Sequence, residues 1–287
     1  MANTKALVTL AIGKKYLKNW QSLCQDNWQR YADRHGYDLI CFEDHLDTSE
    51  RAQKRSPCWQ KCLILSQEAV KKYDRVVWID ADVLINWANA PCIVKGVAVD
   101  RVGAAAEWAT PNQQLSADAK ERLFETWGIT DEKNERETYT KYGIPAEFDR
   151  IVQDGIMVLS PSHHREILEK VYYECEETGF GEMPWVSYEL LKANCVQWID
   201  DRFSTVWNVQ KALYYPFLLP KPQANLTDRL KSQLISKGIP AKLVDKRASE
   251  CATAALMNCY LLHFAGTAAE MRWVDLEATS WRDLRSA

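Results

Sequence analysis

The first 85 residues alternate short apolar runs with longer amphipathic segments, and this alternation limits the possible folds more than any other feature of the chain. The apolar runs predict three strands, over Lys5–Ile12, Tyr37–Phe42 and Arg75–Ile79. The segments between them predict helices over Tyr16–His35 and Cys58–Tyr73. A strand–helix–strand–helix–strand order is typical of a parallel sheet flanked by helices, and therefore of an α/β fold.

The rest of the chain continues this pattern less regularly. Strands are predicted over Ile151–Leu159, Val196–Ile199 and Cys259–Phe264, and helices over Pro161–Glu177 and Trp185–Ala193. Two stretches are polar or rich in turn residues. Pro111–Pro145 is predicted to be an excursion with one helix at Asp118–Trp127, and Leu218–Lys246 is predicted to be rich in loops.

Composition excludes several classes of protein. With 36 Lys and Arg against 39 Asp and Glu, the 287-residue chain has a net charge of −3, whereas a nucleic-acid-binding domain usually carries a basic excess. No run approaches the roughly 18 to 20 apolar residues of a membrane span. The first apolar run lacks a following cleavage site, so we interpret it as a buried strand and not as a signal peptide. Nine cysteines without a C-x-x-C pair favour reduced thiols and a cytoplasmic protein.

The most informative segment is Tyr73–Ile85, with the sequence YDRVVWIDADVLI. The predicted strand ends in Asp80 and Asp82, and alternate side chains of an extended chain lie on the same face. Carboxylate oxygens at this spacing suit Mg²⁺ or Mn²⁺, and such a cation typically bridges to a diphosphate. An isolated Asp-x-Asp can also be a turn or a helix cap.

One enzyme family with this pattern is the haloacid-dehalogenase type of phosphatase. In that interpretation Asp80 is the phosphoryl nucleophile, Asp82 is the acid/base, and Asp200–Asp201 is the downstream acidic pair that binds metal. That family carries its motif on the first strand of its domain, whereas here two strands and two helices precede it.

A second family resembles the chain more extensively. The Trp59-x-Lys61 helix opening, Tyr73-Asp74 and VVWIDADVLI are similar to a motif block of GT-A glycosyltransferases, closest to the glycogenin-like and the galactosyl- and xylosyltransferase-like families. Three further segments resemble that family's motifs in the expected order: QDGIMVLS at 153–160, GEMPWVS at 181–187 and LHFAG at 262–266. The matching blocks span roughly residues 5 to 266. The resemblance implies a Rossmann-like GT-A fold, with a mainly parallel central sheet flanked by helices.

The resemblance also implies a division of roles among residues. Asp80, Asp82 and His263 would hold a cation, Mn²⁺ or Mg²⁺, and through it the diphosphate of a nucleotide-sugar. Residues that would contact this donor lie at the first strand's end, on the second helix and in the three later blocks. They are Ala11, Ile12, Gly13, Lys61, Asp80, Ala81, Gln153, Gly155 and Gly266.

The chain departs from the family's pattern near the expected sugar position. Gln153 stands where Asn is usual, Asp154 where a small residue is usual, and Met183 where retaining relatives have Gln. Asp154 and Glu182 are therefore the candidate catalytic residues, because a carboxylate near the acceptor hydroxyl can act as a general base. Whether the anomeric configuration is inverted or retained stays open.

We therefore expect a metal-dependent glycosyltransferase that moves a hexosyl or pentosyl unit from a nucleotide-diphosphate sugar, with UDP favoured over GDP. Its acceptor is an unidentified glycan, lipid or protein, and any membrane contact is made through that acceptor. The alternatives are the phosphatase and a nucleotide-sugar-binding protein without catalysis. We expect one domain over residues 1–287, with a nucleotide-binding half at 1–100 and an acceptor-side half at 101–287.

Overall fold

The computed structural model describes residues 4–129, 134–219, 230–231, 233–234, 239 and 241–278. The predicted loop-rich stretch Leu218–Lys246 lies largely outside the described residues. Among those that are described, none of the helices combines the length and the apolar composition that crossing a membrane requires.

The described chain alternates strands and helices as the sequence indicates. The strands are β1 (Lys5–Leu10), β2 (Asp38–Phe42), β3 (Arg75–Ile79), β4 (Val83–Ile85), β5 (Val102–Ala104), β6 (Ile156–Leu159), β7 (Val196–Trp198), β8 (Thr205–Val206) and β9 (Leu261–His263). The α-helices are α1 (Lys14–Leu23), α2 (Gln25–His35), α3 (Glu50–Gln53), α4 (Glu68–Lys71), α5 (Gln113–Trp127), α6 (Glu135–Lys141), α7 (Pro161–Glu174), α8 (Met183–Lys192), α9 (Trp207–Tyr214), α10 (Ala241–Val244) and α11 (Lys246–Met257). Short 3-10 helices cover Pro57–Ser66, Asp201–Ser204, Pro216–Leu218 and Ala268–Trp273.

The central sheet has the strand order β2-β1-β3-β6-β5-β7. β2, β1 and β3 are parallel, β6 is antiparallel to both of its neighbours, and β5 and β7 again run parallel to each other. The carboxyl ends of β1, β3, β5 and β7 and the beginning of β6 therefore meet at one edge of the sheet. A second sheet, in the order β4-β9-β8, continues from the end of β3.

Two apolar layers cover the two faces of the central sheet. Every residue of β3 is buried, as the uninterrupted apolar run predicts for a strand covered on both faces. Neighbouring residues alternate between the layers: Leu7 and Val77 pack with α1 and α2, whereas Val8 and Val76 pack with the first 3-10 helix and α7. The mainly parallel sheet flanked by helices confirms the predicted α/β fold class.

Two predicted elements differ in the structure. The helix predicted over Cys58–Tyr73 was wrong: a 3-10 helix over Pro57–Ser66 and the short α4 replace it. Seven consecutive residues of this 3-10 helix, Trp59–Leu65, are buried, so the segment lacks the polar face of an amphipathic α-helix. The helix predicted over Tyr16–His35 is instead α1 and α2, which meet at Cys24; Gly36, with a φ of 69°, ends α2 as predicted.

The stretch Pro111–Pro145 contains α5 and also α6, which the sequence did not indicate. Each of the two helices begins with an asparagine cap. The side chain of Asn112 accepts a hydrogen bond from the amide of Leu115, and that of Asn134 accepts one from the amide of Glu137. These caps satisfy backbone donors that would otherwise lack a partner at the start of each helix.

We predict that His164 makes stability pH-dependent below neutrality. Its Nδ1 accepts a hydrogen bond of 2.9 Å from the amide of Ser160, and the side chain is buried, which lowers the pKa of His164 from 6.5 to about 4. The unfolded chain then binds the extra proton first, so stability present above pH 6.5 is lost as the pH falls towards 4. The loss is about 3 kcal/mol at 1.36 kcal/mol per pKa unit.

Urea unfolding of wild type, His164→Gln and His163→Gln between pH 7 and pH 4 tests this. Glutamine keeps an acceptor for the Ser160 amide and does not titrate, so His164→Gln should flatten the profile. His163 is exposed and serves as the matched control, which should keep the wild-type slope. Identical slopes for all three proteins would contradict the prediction.

Candidate active site

Three chain segments meet where β3 ends. The amide of Asp80 donates to the carbonyl of Gly155 (2.8 Å), which joins the end of β3 to the residue before β6. The amide of Phe264 donates to the carbonyl of Asp82 (2.9 Å), which joins the same turn to the end of β9. Backbone hydrogen bonds therefore fix the positions from which Asp80, Asp82 and His263 extend.

Asp80, Asp82 and His263 form a compact group of possible metal ligands. His263 Nε2 lies 3.2 Å from Asp82 Oδ1 and 3.7 Å from Asp80 Oδ2, and one ligand atom from each residue lies within 4.8 Å of the others. The imidazole is buried, whereas both carboxylates are partly exposed. Two carboxylates and an imidazole converging at a solvent-accessible point fit a divalent cation such as Mn²⁺. The predicted ligand set is thus assembled in space, although no metal is identified.

The charges of this group hold it together. Burial lowers the pKa of His263, but the negative charges of Asp82 and Asp80 and the hydrogen bond to Asp82 outweigh burial and raise this pKa above its usual value. Burial raises the pKa of Asp82, but His263 outweighs it through its charge and a hydrogen bond, so the pKa of Asp82 is lowered overall. An imidazole binds a metal only in its neutral form, so protonation of His263 competes with cation binding here.

Gly155 leaves the space that the His263 ring occupies. A Cβ on Gly155 would lie 2.4 Å from Cε1 and 2.9 Å from Nδ1 of His263, and 2.9 Å from Gln153 Oε1. Gln153 Oε1 in turn accepts a hydrogen bond of 2.7 Å from the Gly155 amide. Gly155 and Gln153 therefore lie against the candidate metal ligand.

Beneath this group, the ammonium of Lys61 contacts three carboxylates. Lys61 Nζ lies 2.7 Å from Glu182 Oε1, 3.2 Å from Asp154 Oδ1 and 3.3 Å from Asp80 Oδ1. The side chains of Lys61, Asp154 and Glu182 are each at most 5% exposed. The sequence predicted that Lys61 lies on a helix near the donor. In the structure, Lys61 lies at the centre of a buried ionic cluster.

Carboxyl groups outnumber basic side chains in this cluster. Burial lowers the pKa of Lys61, but Asp154, Asp80 and Glu182 outweigh it, so its pKa lies well above the usual value and the ammonium stays charged. Burial raises the pKa of Asp154 well above its usual range, and the negative charges of Glu182 and Asp80 add to this effect despite the Lys61 charge. The second carboxyl oxygen of Asp154, Oδ2, has no hydrogen-bond partner within the described chain. Four carboxyl groups thus lie around one lysine and one histidine, and two of them, Asp80 and Asp82, reach the cleft.

A cleft of about 310 Å³ opens over these residues. Asp80, Asp82 and Lys61 contribute its polar lining, while Ile12 and Trp78 contribute apolar surface. Asp154 and Glu182 do not line it and lie deeper. The cleft therefore presents the candidate metal ligands to a molecule that enters from the solvent.

Of the other residues predicted to contact a donor, two line this cleft, Ile12 and Ala81, and five do not: Ala11, Gly13, Gln153, Gly155 and Gly266. Ala11 is buried in the core, and Gly13 is exposed at the start of α1. Gly266 follows β9 with a φ of 69°, which glycine adopts without strain. The donor-binding and catalytic roles of all of these residues stay predictions.

The structure adds residues to the cleft that the sequence did not single out, among them Tyr16, Asn19 and Met271. Tyr16 and Asn19 lie one turn apart on α1, directly after β1, and Met271 reaches the cleft from the last 3-10 helix. The spacing of three residues between Tyr16 and Asn19 was a usable signal, because such residues share a helix face. Met271 follows from no local pattern.

We predict that Gly155→Ala weakens cation binding by displacing His263. A residue that only orients a ligand typically changes metal affinity 10- to 100-fold. Mn²⁺ affinity, measured by electron paramagnetic resonance or calorimetry, should therefore fall at least about tenfold in Gly155→Ala. The melting temperature is measured in parallel to confirm that the variant is folded.

The matched control is the same substitution in a His263→Ala background. If displacement of the ring is the cause, Gly155→Ala adds no further loss of Mn²⁺ affinity there, as a double-mutant cycle requires. Additive losses in the two backgrounds would refute the steric explanation.

Comparison with protein-family models finds no match, and neither does comparison with curated proteins. Among solved structures, the chain is similar to a glycosyltransferase involved in the glycosylation of the major capsid of PBCV-1, with a TM-score of 0.50 and 13% identity over 98% of this chain and 100% of that one. The apo structure of the bifunctional glycosyltransferase WbbM is also similar, with a TM-score of 0.47 and 11% identity; all of this chain aligns with 52% of that one. The predicted resemblance is confirmed at the level of fold: the chain has the α/β fold of GT-A glycosyltransferases.

Proposed function

We propose that this chain is a metal-dependent glycosyltransferase that uses a nucleotide-diphosphate sugar as donor. The observation that carries the proposal is the convergence of Asp80, Asp82 and His263 at the cleft of a GT-A fold. The phosphatase alternative loses support because Asp200 and Asp201, which it requires beside Asp80, line a different cavity.

In this proposal the two aspartates and the histidine hold the cation, with Mn²⁺ favoured over Mg²⁺. When bound, such a cation supplies positive charge against the negative charge that develops on the departing diphosphate. The protein's part is to keep the ligands in place. Trp78 Nε1 donates a hydrogen bond of 2.8 Å to Asp80 Oδ1, and Lys61 contacts the same oxygen, so Asp80 Oδ2 is the atom left to face His263.

The apolar end of β1 is the proposed nucleoside position. Leu10 and Ile12 line the cleft there, and Tyr16 and Asn19 face it from α1. A ring from Tyr16, which is 63% exposed, is available to pack on a base. We keep UDP as the favoured nucleotide and a hexosyl or pentosyl unit as the transferred group.

The general base is proposed to be Asp154 or Glu182. Both carboxyl groups contact Lys61, are buried and do not line the cleft, so this role requires the acceptor hydroxyl to reach the Lys61 cluster itself. Burial raises the pKa of Asp154 and so favours its protonated form, whereas the Lys61 charge outweighs burial at Glu182 and lowers its pKa, which favours the ionised form that a base requires. Both residues stay candidates for the base.

We predict that Asp82→Ala removes nearly all transfer from a panel of UDP- and GDP-sugars assayed with Mn²⁺. EDTA should abolish wild-type activity and added Mn²⁺ should restore it, because the cation holds the diphosphate. Asp33→Ala, which removes an exposed carboxylate on α2, is the matched control and should remain active. Full wild-type activity in EDTA would refute the metal-dependent proposal.

A separate prediction concerns the base. Asp154→Asn and Glu182→Gln each keep the shape of the side chain and remove its basicity, so in one of the two variants kcat should fall at least about a hundredfold with little change in donor Kd. NMR of the product gives the anomeric configuration. A retained configuration with both amide variants near wild type would exclude a carboxylate base.

A further inference from the structure

A second cavity, of about 540 Å³, lies outside the donor cleft. One wall is Ala109–Pro111, which follows β5, and another is Asp200–Arg202, which follows β7. Gln210 and Tyr214 of α9 border it on a further side. Its volume falls within the range of roughly 300 to 1,000 Å³ that is typical of small-molecule sites.

The sheet topology places this cavity beside the donor cleft. The donor cleft is built on the carboxyl ends of β1 and β3, and the second cavity on those of β5 and β7, which open at the same edge. Only the beginning of β6 lies between them, and the amide of Gln153 donates to Ala105 O on the β5 side. With strands about 4.8 Å apart, the two sites are centred about 14 Å from each other. The predicted sugar position at Gln153–Gly155 thus separates the two.

The lining of the cavity combines an aromatic face with planar polar groups. The Tyr214 side chain is 50% exposed, and the amides of Gln210 and Asn258 border the same space. The carboxylate of Asp201 has no ion-pair partner in the part of the chain that the structure describes. An exposed ring packs on the apolar face of a sugar, amides both donate hydrogen bonds to hydroxyl groups and accept them, and a carboxylate accepts them.

The charges in the cavity select against anions. The Arg202 side chain donates three hydrogen bonds to Asp200: Nη2 to Oδ2 at 2.6 Å, Nε to Oδ1 at 3.0 Å and Nε to Oδ2 at 3.2 Å. The charge left facing the cavity is therefore the carboxylate of Asp201. A carboxylated or sulfated ligand would meet this like charge; Arg150, whose charge also acts on Asp201, does not line the cavity.

We propose that this cavity binds the acceptor and that the acceptor is an uncharged carbohydrate. This inference rests on the proposed function, because it assigns the second substrate of the same transfer. The acceptor's hydroxyl is presented from the β5–β7 side towards the donor sugar at Gln153–Gly155. Tyr214 and Asp201 are the residues that set its chemical class.

Saturation-transfer NMR with free methyl glycosides tests the proposal without requiring turnover. The probes are the methyl glycosides of glucose, galactose, mannose and xylose, with methyl glucuronide as the anionic counterpart. The proteins are wild type, Tyr214→Ala, Asp201→Asn and Tyr173→Ala. Tyr173 is 55% exposed on α7 and lines neither cavity, so its variant is the matched control. Binding of UDP with Mn²⁺ is measured on each protein by thermal shift.

We expect at least one neutral glycoside to bind both wild type and Tyr173→Ala. Its affinity should be at least tenfold lower in Tyr214→Ala. The glucuronide should not bind wild type. Asp201→Asn should weaken the neutral glycoside and lessen the exclusion of the glucuronide. UDP binding should be unchanged in all variants. Unchanged glycoside binding in Tyr214→Ala, or the absence of binding by every neutral glycoside, overturns the inference. Glycoside binding at Tyr214 in a chain that binds no nucleotide would instead refute the proposed function and, with it, the acceptor role.

Discussion

The contact between the Lys61 ammonium and three carboxylates is the interaction on which the rest of the site depends. It joins the first 3-10 helix to the end of β3, to Asp154 in the segment before β6 and to the start of α8. Taking charges out of water costs several kcal/mol for each ion, and only close pairing offsets that cost. Lys61 therefore permits Asp154 and Glu182 to be buried at the edge of the sheet. Without Lys61, the cost of burying these two carboxyl groups would not be offset by a paired positive charge.

Lys61 contacts only one of the two carboxylate oxygens of Asp80, so the two oxygens have different roles. Oδ1 is held by Lys61 and by the indole of Trp78, while Oδ2 faces His263 across the candidate metal position. A carboxylate held at one oxygen loses little rotational freedom when the other binds a ligand, so the geometry is set before a donor arrives. This preorganisation extends to His263, whose ring fits only because position 155 has no side chain.

The sequence predicted the parts of the fold and site that local pattern controls. β3 spans the predicted residues, and the Asp-x-Asp group and its histidine partner came together as the resemblance implied. The 3-10 helix at Pro57–Ser66 was missed because a segment buried on all sides has no amphipathic period to detect. The burial of Lys61 was missed for a different reason: its three partners come from distant segments, and their proximity is a property of the tertiary structure alone. The position of Met271 at the cleft was missed for the same reason, because it depends on how the last 3-10 helix packs in the tertiary structure.

The small sheet that carries His263 has a consequence for how the chain reaches its native state. β4 and β9 pair although most of the chain separates them, so closing that loop carries a large entropic cost and increases the contact order. During synthesis, β1, β2 and β3 can pair while β9 is still inside the ribosome. His263 is thus the last of the three candidate metal ligands to be synthesised, and a nascent chain cannot assemble the group until β9 has emerged.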